Sequence, residues 1–340
     1  MHIQYTQPFS RRRFLGGMTR AGAAGLLGLP AKRAAAEPPP ETTTLRLMRL
    51  SSICEAPVQV AGDLLVGEGF SEVQYVQGTG SPDAYKALAS GEVDMAQLYA
   101  GGVVTQIDTG APLVLLGGIH VGCFELFGSA RVRSVRDLKG KTVAVPSLGS
   151  HQHLFIASIA AYVGLDPQTD IHWVLHRGPE SLQLLAEGKI DGLMGFPPEP
   201  QELRAKQIGH VLVNTALDRP WSQYFCCMLA ANRDFVRAHP VATKRALRAL
   251  LKAIDLCALE PTRAAQLVVE RGYTPRYDYA LQTMQEIPFN RWREYDPEDT
   301  ARFYALRLRE IGMIKSTPQQ IIAQGTDWRF LNALKKEMKG

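Results

Sequence analysis

The sequence has few cysteines and lacks the short motifs of several enzyme classes. Its five cysteines, at positions 54, 123, 226, 227 and 257, show no spacing typical of a metal site. It contains no Gly-x-x-x-x-Gly-Lys, which would cradle a phosphate, no His-Glu-x-x-His and no Gly-x-Ser-x-Gly. We therefore expect no catalytic residue, no metal and no cofactor. Most of the cysteines are expected to be buried as small hydrophobes, and no disulfide can be assigned.

Acidic residues are absent from the first 36 positions, which carry six Lys and Arg. Without that segment, 32 Lys and Arg stand against 33 Asp and Glu, so the basic isoelectric point of about 8.9 belongs to the N-terminus. The rest of the chain has no excess positive charge to attract a polyanion. Nucleic acid is therefore not expected as a partner.

The basic N-terminus has the layout of an export signal. Residues 10–15, SRRRFL, resemble a twin-arginine motif, a weakly apolar stretch follows at 16–29, and Ala34 to Ala36 form an Ala-x-Ala cleavage site. The apolar stretch is too short and too interrupted to span a membrane. We expect a signal peptide at 1–36 cleaved near Ala36, the twin-arginine translocase as an export partner, and a monomer in the periplasm. Residues 37–44, with three prolines in a row, are expected to form a disordered leader.

One phrase occurs twice in the chain. Residues 87–94, ALASGEVD, return as 184–191, LLAEGKID, and an apolar segment follows each copy. In both, a short helix should end at a Gly in the left-handed conformation before a strand begins. Two such units indicate two similar α/β lobes, each with loops at its strand ends where a ligand can sit.

Strands and helices alternate along the chain, which predicts an α/β fold with mainly parallel sheets. We assign residues 45–120 and 224–340 to lobe one and residues 128–218 to lobe two. Crossings at 119–127 and 214–223 would form the hinge. The apolar run 224–231 predicts a strand that returns to lobe one, and helices from residue 240 onward should pack on that lobe.

Several segments together resemble one family. They are DLKGKTVAV at 137–145, SLGS at 147–150, GLDP at 164–167, LAEGKID at 185–191, PP at 197–198, IGMI at 311–314 and WRFL at 328–331. In this order the segments resemble the nitrate/alkanesulfonate/thiamine-pyrimidine (taurine/nitrate-type) group of periplasmic solute-binding proteins of ABC transporters. The resemblance implies a two-lobed type II, Venus-flytrap fold, a small ligand held between the lobes, and a membrane permease as partner.

The ligand site is expected where strands end and helices begin. Gly149 would let the backbone approach a ligand, Glu55 and Glu199 would supply carboxylates, and Tyr99 would stack on a planar ring. Alternatively, Ser150 only caps a helix, Glu55 only complements a helix dipole, His151 faces solvent, and Tyr99 fills the core. The complete predicted set is Ser52, Cys54, Glu55, Thr79, Ser81, Tyr99, Gly101, Phe124, Ser147, Gly149, Ser150, His151, Phe196, Pro198, Glu199 and Trp221.

These features predict a receptor that captures a small planar or nitrogen-containing molecule by closure of two lobes and performs no chemistry on it. One alternative is a periplasmic sensing subunit for a receptor. Another is a metal-dependent enzyme similar to a eukaryotic pyrimidine synthase that shares this fold and uses self-consuming, iron-dependent chemistry. Cys226, Cys227 and the histidines resemble such a site faintly, but the cysteine pair lies in an apolar run and the fuller cysteine cluster of that family is absent. If they lie in a strand, Cys226 and Cys227 should point to opposite faces, which would make them poor disulfide partners for each other.

Overall fold

A computed structural model describes residues 37–78 and 80–338, without the side chain of Ser81. Ten strands are formed in this part of the chain: β1 (Thr44–Arg49), β2 (Glu72–Gln77), β3 (Met95–Tyr99), β4 (Leu113–Val121), β5 (Glu125–Gly128), β6 (Lys141–Val145), β7 (Ile171–Leu175), β8 (Gly192–Gly195), β9 (His210–Asn214) and β10 (Phe225–Asn232).

The helices over the same residues are α1 (Ala56–Val60), α2 (Gly62–Gly67), α3 (Ser81–Ser90), α4 (Ala100–Asp108), α5 (His151–Tyr162), α6 (Gly178–Ala186), α7 (Glu199–Ala205), α8 (Arg233–Ala238), α9 (Pro240–Leu259), α10 (Pro261–Glu270), α11 (Tyr277–Glu286), α12 (Pro297–Glu310), α13 (Pro318–Gly325) and α14 (Arg329–Glu337). Short 3₁₀ turns lie at Ile53–Glu55, Val135–Leu138, Trp221–Gln223 and Phe289–Arg293. None of the helices in this part of the chain has the length and apolar character that a membrane crossing needs.

The strands form two five-stranded sheets. The first has the order β2-β1-β3-β10-β4, and the second has the order β7-β6-β8-β5-β9. In each sheet one strand runs against its neighbours: β10 is antiparallel to β3 and β4, and β5 is antiparallel to β8 and β9. The prediction of an α/β fold with two lobes is confirmed, with mixed sheets. The apolar run 224–231 forms most of β10, which does return to the first sheet.

The repeated phrase builds the same joint in both halves. Gly91 and Gly188 adopt positive φ angles of 76° and 68° after α3 and α6. The Asp that follows each Gly accepts a hydrogen bond from a backbone N–H of the neighbouring strand, Asp94 from Arg46 at 2.7 Å and Asp191 from Thr142 at 3.1 Å. Each Asp also pairs with an arginine side chain. The phrase is thus a structural unit that ties a helix end to the next strand.

The C-terminal helices cover the first sheet. Helix α9 is amphipathic and packs on α1, α2, α14 and β4, with Leu247, Leu250 and Ile254 buried in the main core. A smaller core beside the second sheet contains Phe127 and Leu193. Burial of this much aliphatic surface is the main source of stability for the two halves.

Two predicted segments differ from the structure. The crossing predicted at 119–127 is mostly strand, since β4 continues to Val121 and β5 begins at Glu125, which leaves 122–124 as the link. Within the predicted disordered leader, the carboxylate of Glu41 accepts hydrogen bonds from Val241 N and Ala242 N at the start of α9, both at 2.9 Å. The leader segment also includes Thr44, the first residue of β1. The predicted signal peptide lies outside the described residues.

Candidate functional site

A cavity of about 600 Å³ lies between the two sheets, at the ends of strands from both. Its volume falls within the range of small-molecule sites. Ten of the sixteen predicted site residues line it: Ser52, Cys54, Glu55, Tyr99, Phe124, Ser147, Ser150, His151, Phe196 and Glu199. The structure thus brings these ten residues together around one cavity, and their role in binding a ligand stays a prediction.

Other predicted residues lie elsewhere. Gly101, Gly149 and Pro198 do not line the cavity. Trp221 is 3% exposed and packs its ring against Phe155 and other aromatic side chains, so it belongs to the core. Thr79 lies outside the described residues, as does the side chain of Ser81.

The two halves touch beside the cavity. Ser52, after β1, donates a hydrogen bond from Oγ to the carbonyl oxygen of Pro197, after β8, at 3.1 Å, and Ile53 N donates to the same oxygen at 3.2 Å. On the outer side, Arg204 and Gln201 of α7 bind the carboxylate of Glu286 in α11. These contacts join the first half to the second around the cavity.

Aromatic rings form one wall of the cavity. Tyr99 stacks on Phe155 with ring centroids 5.0 Å apart and meets Phe124 and His151 at 5.9 Å and 5.6 Å. The ring of Phe196 meets Phe124 at 5.8 Å. Tyr99 is fully buried, so it serves the core and the cavity wall together. The wall is apolar, and of its four rings Phe196 is the one that is partly exposed, whereas Tyr99, Phe124 and Phe155 are buried.

Acidic groups outnumber basic ones around the cavity. Its charged residues are Glu55, Glu199, Asp83 and Arg177, the last two exposed at its edge. Burial raises the pKa of Glu55 well above its usual value, although Glu55 Oε2 accepts a hydrogen bond from Leu50 N at 2.9 Å. Burial also raises the pKa of Glu199 to about 7. Both carboxyl groups are therefore poised to hydrogen-bond a ligand in protonated or ionised form.

Three buried polar atoms of residues that line the cavity have no hydrogen-bond partner among the described residues: Nε2 of His151, Oε1 of Gln97 and the hydroxyl of Tyr99. Burial lowers the pKa of His151 to about 4, so its imidazole is neutral at physiological pH. Gln97 was not predicted as a site residue, because it lies inside an apolar strand, β3. Unsatisfied groups of this kind, facing a cavity, are suited to a ligand's donors and acceptors.

The first turn of α5 faces the cavity. Ser150 is its N-cap and accepts a hydrogen bond from His153 N at 3.3 Å, so the capping interpretation holds, and Ser150 lines the cavity as well. His151 is partly buried beside Tyr85 and Tyr99 and does not face solvent freely. The helix start therefore contributes a capping hydroxyl and a neutral imidazole to the site.

Thiols form the floor of the cavity. Cys54, Cys123 and Cys227 line it, and all five cysteines are buried and unbridged. The expectation that Cys226 and Cys227 face opposite sides is wrong, since irregular pairing of β10 with β4 brings their sulfur atoms within 3.9 Å of each other. Hydrogen bonds from neighbouring thiols lower the pKa of the Cys227 thiol well below its ordinary value.

The two crossings between the sheets meet at Gly122. Its φ is +52°, and a Cβ added there would lie 2.2 Å from Cα of Ala216 in the second crossing. Beside it, Oγ1 of Thr215 donates a hydrogen bond to the carbonyl oxygen of Phe124 at 2.9 Å and accepts one from Phe124 N at 3.1 Å. Only glycine allows the two backbones to approach this closely.

The fold is that of two-lobed ligand-binding proteins of ABC import systems. The periplasmic nitrate-binding protein of Synechocystis has a TM-score of 0.72 at 13% identity, covering 89% of this chain and 90% of that one. The alkanesulfonate-binding protein of Xanthomonas axonopodis, solved with MOPS bound, has a TM-score of 0.67 at 17% identity, covering 86% and 100%.

The family model described as NMT1/THI5 like matches residues 68–264, and the chain belongs to this family. A 4-amino-5-hydroxymethyl-2-methylpyrimidine phosphate synthase of Saccharomyces cerevisiae is 23% identical over 229 residues, which is 63% of this chain and 65% of the yeast protein. A bicarbonate-binding protein of Synechococcus elongatus is 28% identical over 123 residues, 36% of this chain and 27% of that protein. The chain thus spans just under two thirds of the yeast relative.

Proposed function

We propose that this protein is the solute-binding component of an ABC import system and captures a small, planar, nitrogen-containing molecule between its two lobes. The observation that carries the proposal is the cavity of about 600 Å³ lined by strand-end residues of both sheets. Support comes from the solved relatives, which are binding proteins for nitrate and alkanesulfonate. We further propose export to the periplasm by the twin-arginine route and delivery of the solute to a permease.

The lining of the cavity favours a ligand with N–H groups over a simple inorganic anion. Glu55 and Glu199 offer carboxyl groups, whereas the basic side chain at the cavity, Arg177, is exposed at its edge. An ionised Glu199 would repel an anion, and neither carboxyl group supplies the positive charge that a buried anion needs. A flat heterocycle would instead lie against Tyr99 and Phe124, with amino groups directed to the carboxyl groups and a ring nitrogen or N–H directed to His151 or Gln97.

We propose that the protein captures its ligand by closure of the two lobes. The lobes we propose, residues 45–120 with 224–340 and residues 128–218, would move apart about the crossings at 122–124 and 214–223. A ligand that contacts both lobes stabilises the closed form by the difference between its affinities for the closed and open forms. The hydrogen bonds from Ser52 and Ile53 to Pro197 belong to this closed arrangement. The permease would then recognise the surface that closure creates.

A panel of small molecules tests the proposal. Thermal unfolding of the full chain is followed with aminopyrimidines and other heteroaromatic amines, and in parallel with nitrate, bicarbonate and alkanesulfonates. A ligand present at 100 times its Kd stabilises the folded chain by about 2.7 kcal/mol, which raises Tm measurably. We expect stabilisation by a heteroaromatic amine and its loss in Glu199→Gln. Glu260→Gln, a surface change at the junction between α9 and α10, is the matched control. Stabilisation by the inorganic anions alone would overturn the ligand class.

A second candidate function is a synthase-like enzyme, favoured by the pyrimidine phosphate synthases of yeast among the relatives. The two functions differ in the fate of the bound molecule. A binding protein releases its ligand unchanged on unfolding, whereas a synthase releases an altered molecule. Mass analysis of the small molecule before binding and after release therefore distinguishes them.

A further inference from the structure

Four buried side chains below the cavity have the geometry of a metal site. Cys54, His120, Cys123 and Cys227 each bring one ligand atom to within 4.8 Å of the others, and each is at most 7% exposed. We propose that these four residues bind one zinc ion, or a similar thiolate-preferring cation, at the floor of the cleft. This proposal is independent of the solute-binding function.

The donor set is one that zinc prefers. Three thiolates and one imidazole in a tetrahedron are a common structural zinc set. With Zn–S bonds of ~2.3 Å, the sulfur atoms of a regular tetrahedron lie about 3.8 Å apart. The four ligand atoms, already within 4.8 Å, need to draw together by only about 1 Å to reach this spacing.

Hydrogen bonding leaves a nitrogen of His120 available for a cation. Nδ1 of His120 lies 3.1 Å from the carbonyl oxygen of Gly122, which can only accept, so Nδ1 carries the hydrogen and Nε2 the lone pair. A histidine that binds a metal commonly donates its second N–H to a carbonyl in this way. The amide nitrogen of Gln97 donates to Nε2 at 3.2 Å and to the carbonyl oxygen of Cys54 at 2.9 Å. A cation would replace Gln97 on Nε2 while the bond to Cys54 remains.

The ligands come from distant parts of the chain, so a bound ion would join separate elements. Cys54 follows β1, His120 is in β4, Cys227 is in β10, and Cys123 lies in the link 122–124 that leads to the second sheet. An ion here would fasten this link to the first sheet. Three of the four ligands line the cavity, which supplies a path of entry.

One other use of Cys123 competes with metal binding. Its sulfur lies 3.5 Å from the sulfur of Cys226, so oxidation to a disulfide would remove Cys123 from the ligand set. Cys226→Ser abolishes this bond and leaves all four proposed ligands in place. Cys257→Ser removes a buried cysteine in α9 outside the cluster. These two variants are the matched controls.

Cobalt(II) is a suitable probe because tetrahedral thiolate coordination gives it strong absorption bands. The full chain, reduced and freed of metal, is titrated with cobalt(II) and then with zinc(II). We expect one cobalt per chain with a tetrahedral thiolate spectrum, displaced by one zinc, in the unchanged chain and in Cys226→Ser and Cys257→Ser. Cys54→Ser, Cys123→Ser and Cys227→Ser should each lose more affinity than the roughly 10- to 100-fold that loss of an outer partner causes.

Zinc should also raise the Tm of the reduced chain, and it should not raise that of a folded Cys227→Ser variant. Circular dichroism checks that each variant is folded. If the unchanged chain gives no stoichiometric cobalt complex, or gives an octahedral spectrum without thiolate bands, the proposal is wrong. It is also wrong if the ligand variants bind cobalt as tightly as Cys226→Ser does.

Discussion

The hydroxyl of Ser52 donates a hydrogen bond to the carbonyl oxygen of Pro197 at 3.1 Å, across the gap between the two sheets. Ser52 follows the first strand of one sheet, and Pro197 follows a strand of the other. Ile53 N donates to the same oxygen. The carbonyl group of Pro197 thus accepts two hydrogen bonds from the other half, directly beside the cavity. Capture by closure requires such contacts between the lobes.

Glu286→Gln should weaken the closed form. The carboxylate of Glu286 binds Arg204 and Gln201 across the lobes, while Arg204 retains Glu125 in the variant. This pair is partly exposed, so it is worth ~0.2–1 kcal/mol, and affinity for the captured ligand should fall by at most about five-fold. Isothermal titration at low and high salt measures the change, which should shrink as salt rises. Unchanged affinity at low salt would show that the pair does not support closure; Glu260→Gln is the control.

Glu199 should make stability depend on pH. Burial raises its pKa from the ordinary value of 4.5 to about 7, so its contribution to folding stability is fully present below pH 4.5 and is lost as the pH rises through 7. Glu199→Gln removes this loss of stability at high pH, because a glutamine side chain does not ionise. The variant should match the unchanged chain near pH 4 and exceed it in stability at pH 8 by about 1–3 kcal/mol. Urea unfolding across this pH range measures the difference, and a difference that does not vary with pH would contradict the account.

His151 should remain neutral through the physiological range. Burial lowers its pKa from 6.5 to about 4. Stability from the neutral ring is therefore present above pH 6.5 and is lost as the pH falls toward 4. The NMR signal of His151, assigned with His151→Gln, should not titrate between pH 5.5 and 8. A midpoint near 6.5 would show that the ring is solvated rather than buried against Tyr85 and Tyr99.

Gly122→Ala should destabilise the chain more than Gly140→Ala. Both glycines have positive φ, so alanine costs ~1–2 kcal/mol of backbone strain at either position. At Gly140 the new methyl group meets nothing within 4 Å, whereas at Gly122 it meets the backbone of Ala216 at 2.2 Å. The variant at Gly122 should therefore lose several kcal/mol by overpacking. Urea denaturation compares the two, and equal losses would exclude a tight crossing at Gly122.

The features that the sequence predicted well depend on local patterns. In each copy of the repeated phrase, the Gly ends a helix and the Asp binds the neighbouring strand, and both are short-range features. Residues 87–94 and 184–191 therefore indicated two similar lobes. Apolar runs identified most strands. The short strand Glu125–Gly128 was missed because four residues at a crossing carry too little periodicity to separate it from a loop.

The features that the sequence did not predict depend on contacts between residues that are distant in the chain. Trp221 was placed in the cleft because it lies near a crossing, but it packs into the core against Phe155, Tyr162 and Phe303. The four residues proposed to bind zinc have no motif spacing, since β1, β4 and β10 bring them together only in the folded sheet. Irregular pairing of β10 then sets where Cys226 and Cys227 point.

Native mass spectrometry of the mature protein, isolated from its own cells without refolding, tests the central claim most directly. The account predicts one small organic molecule per chain, released unchanged on unfolding and absent from a Glu55→Gln, Tyr99→Ala double variant. Glu260→Gln should retain it. A molecule retained equally by the double variant, or a chain that carries none while its lobes stay closed, would contradict capture in this cleft.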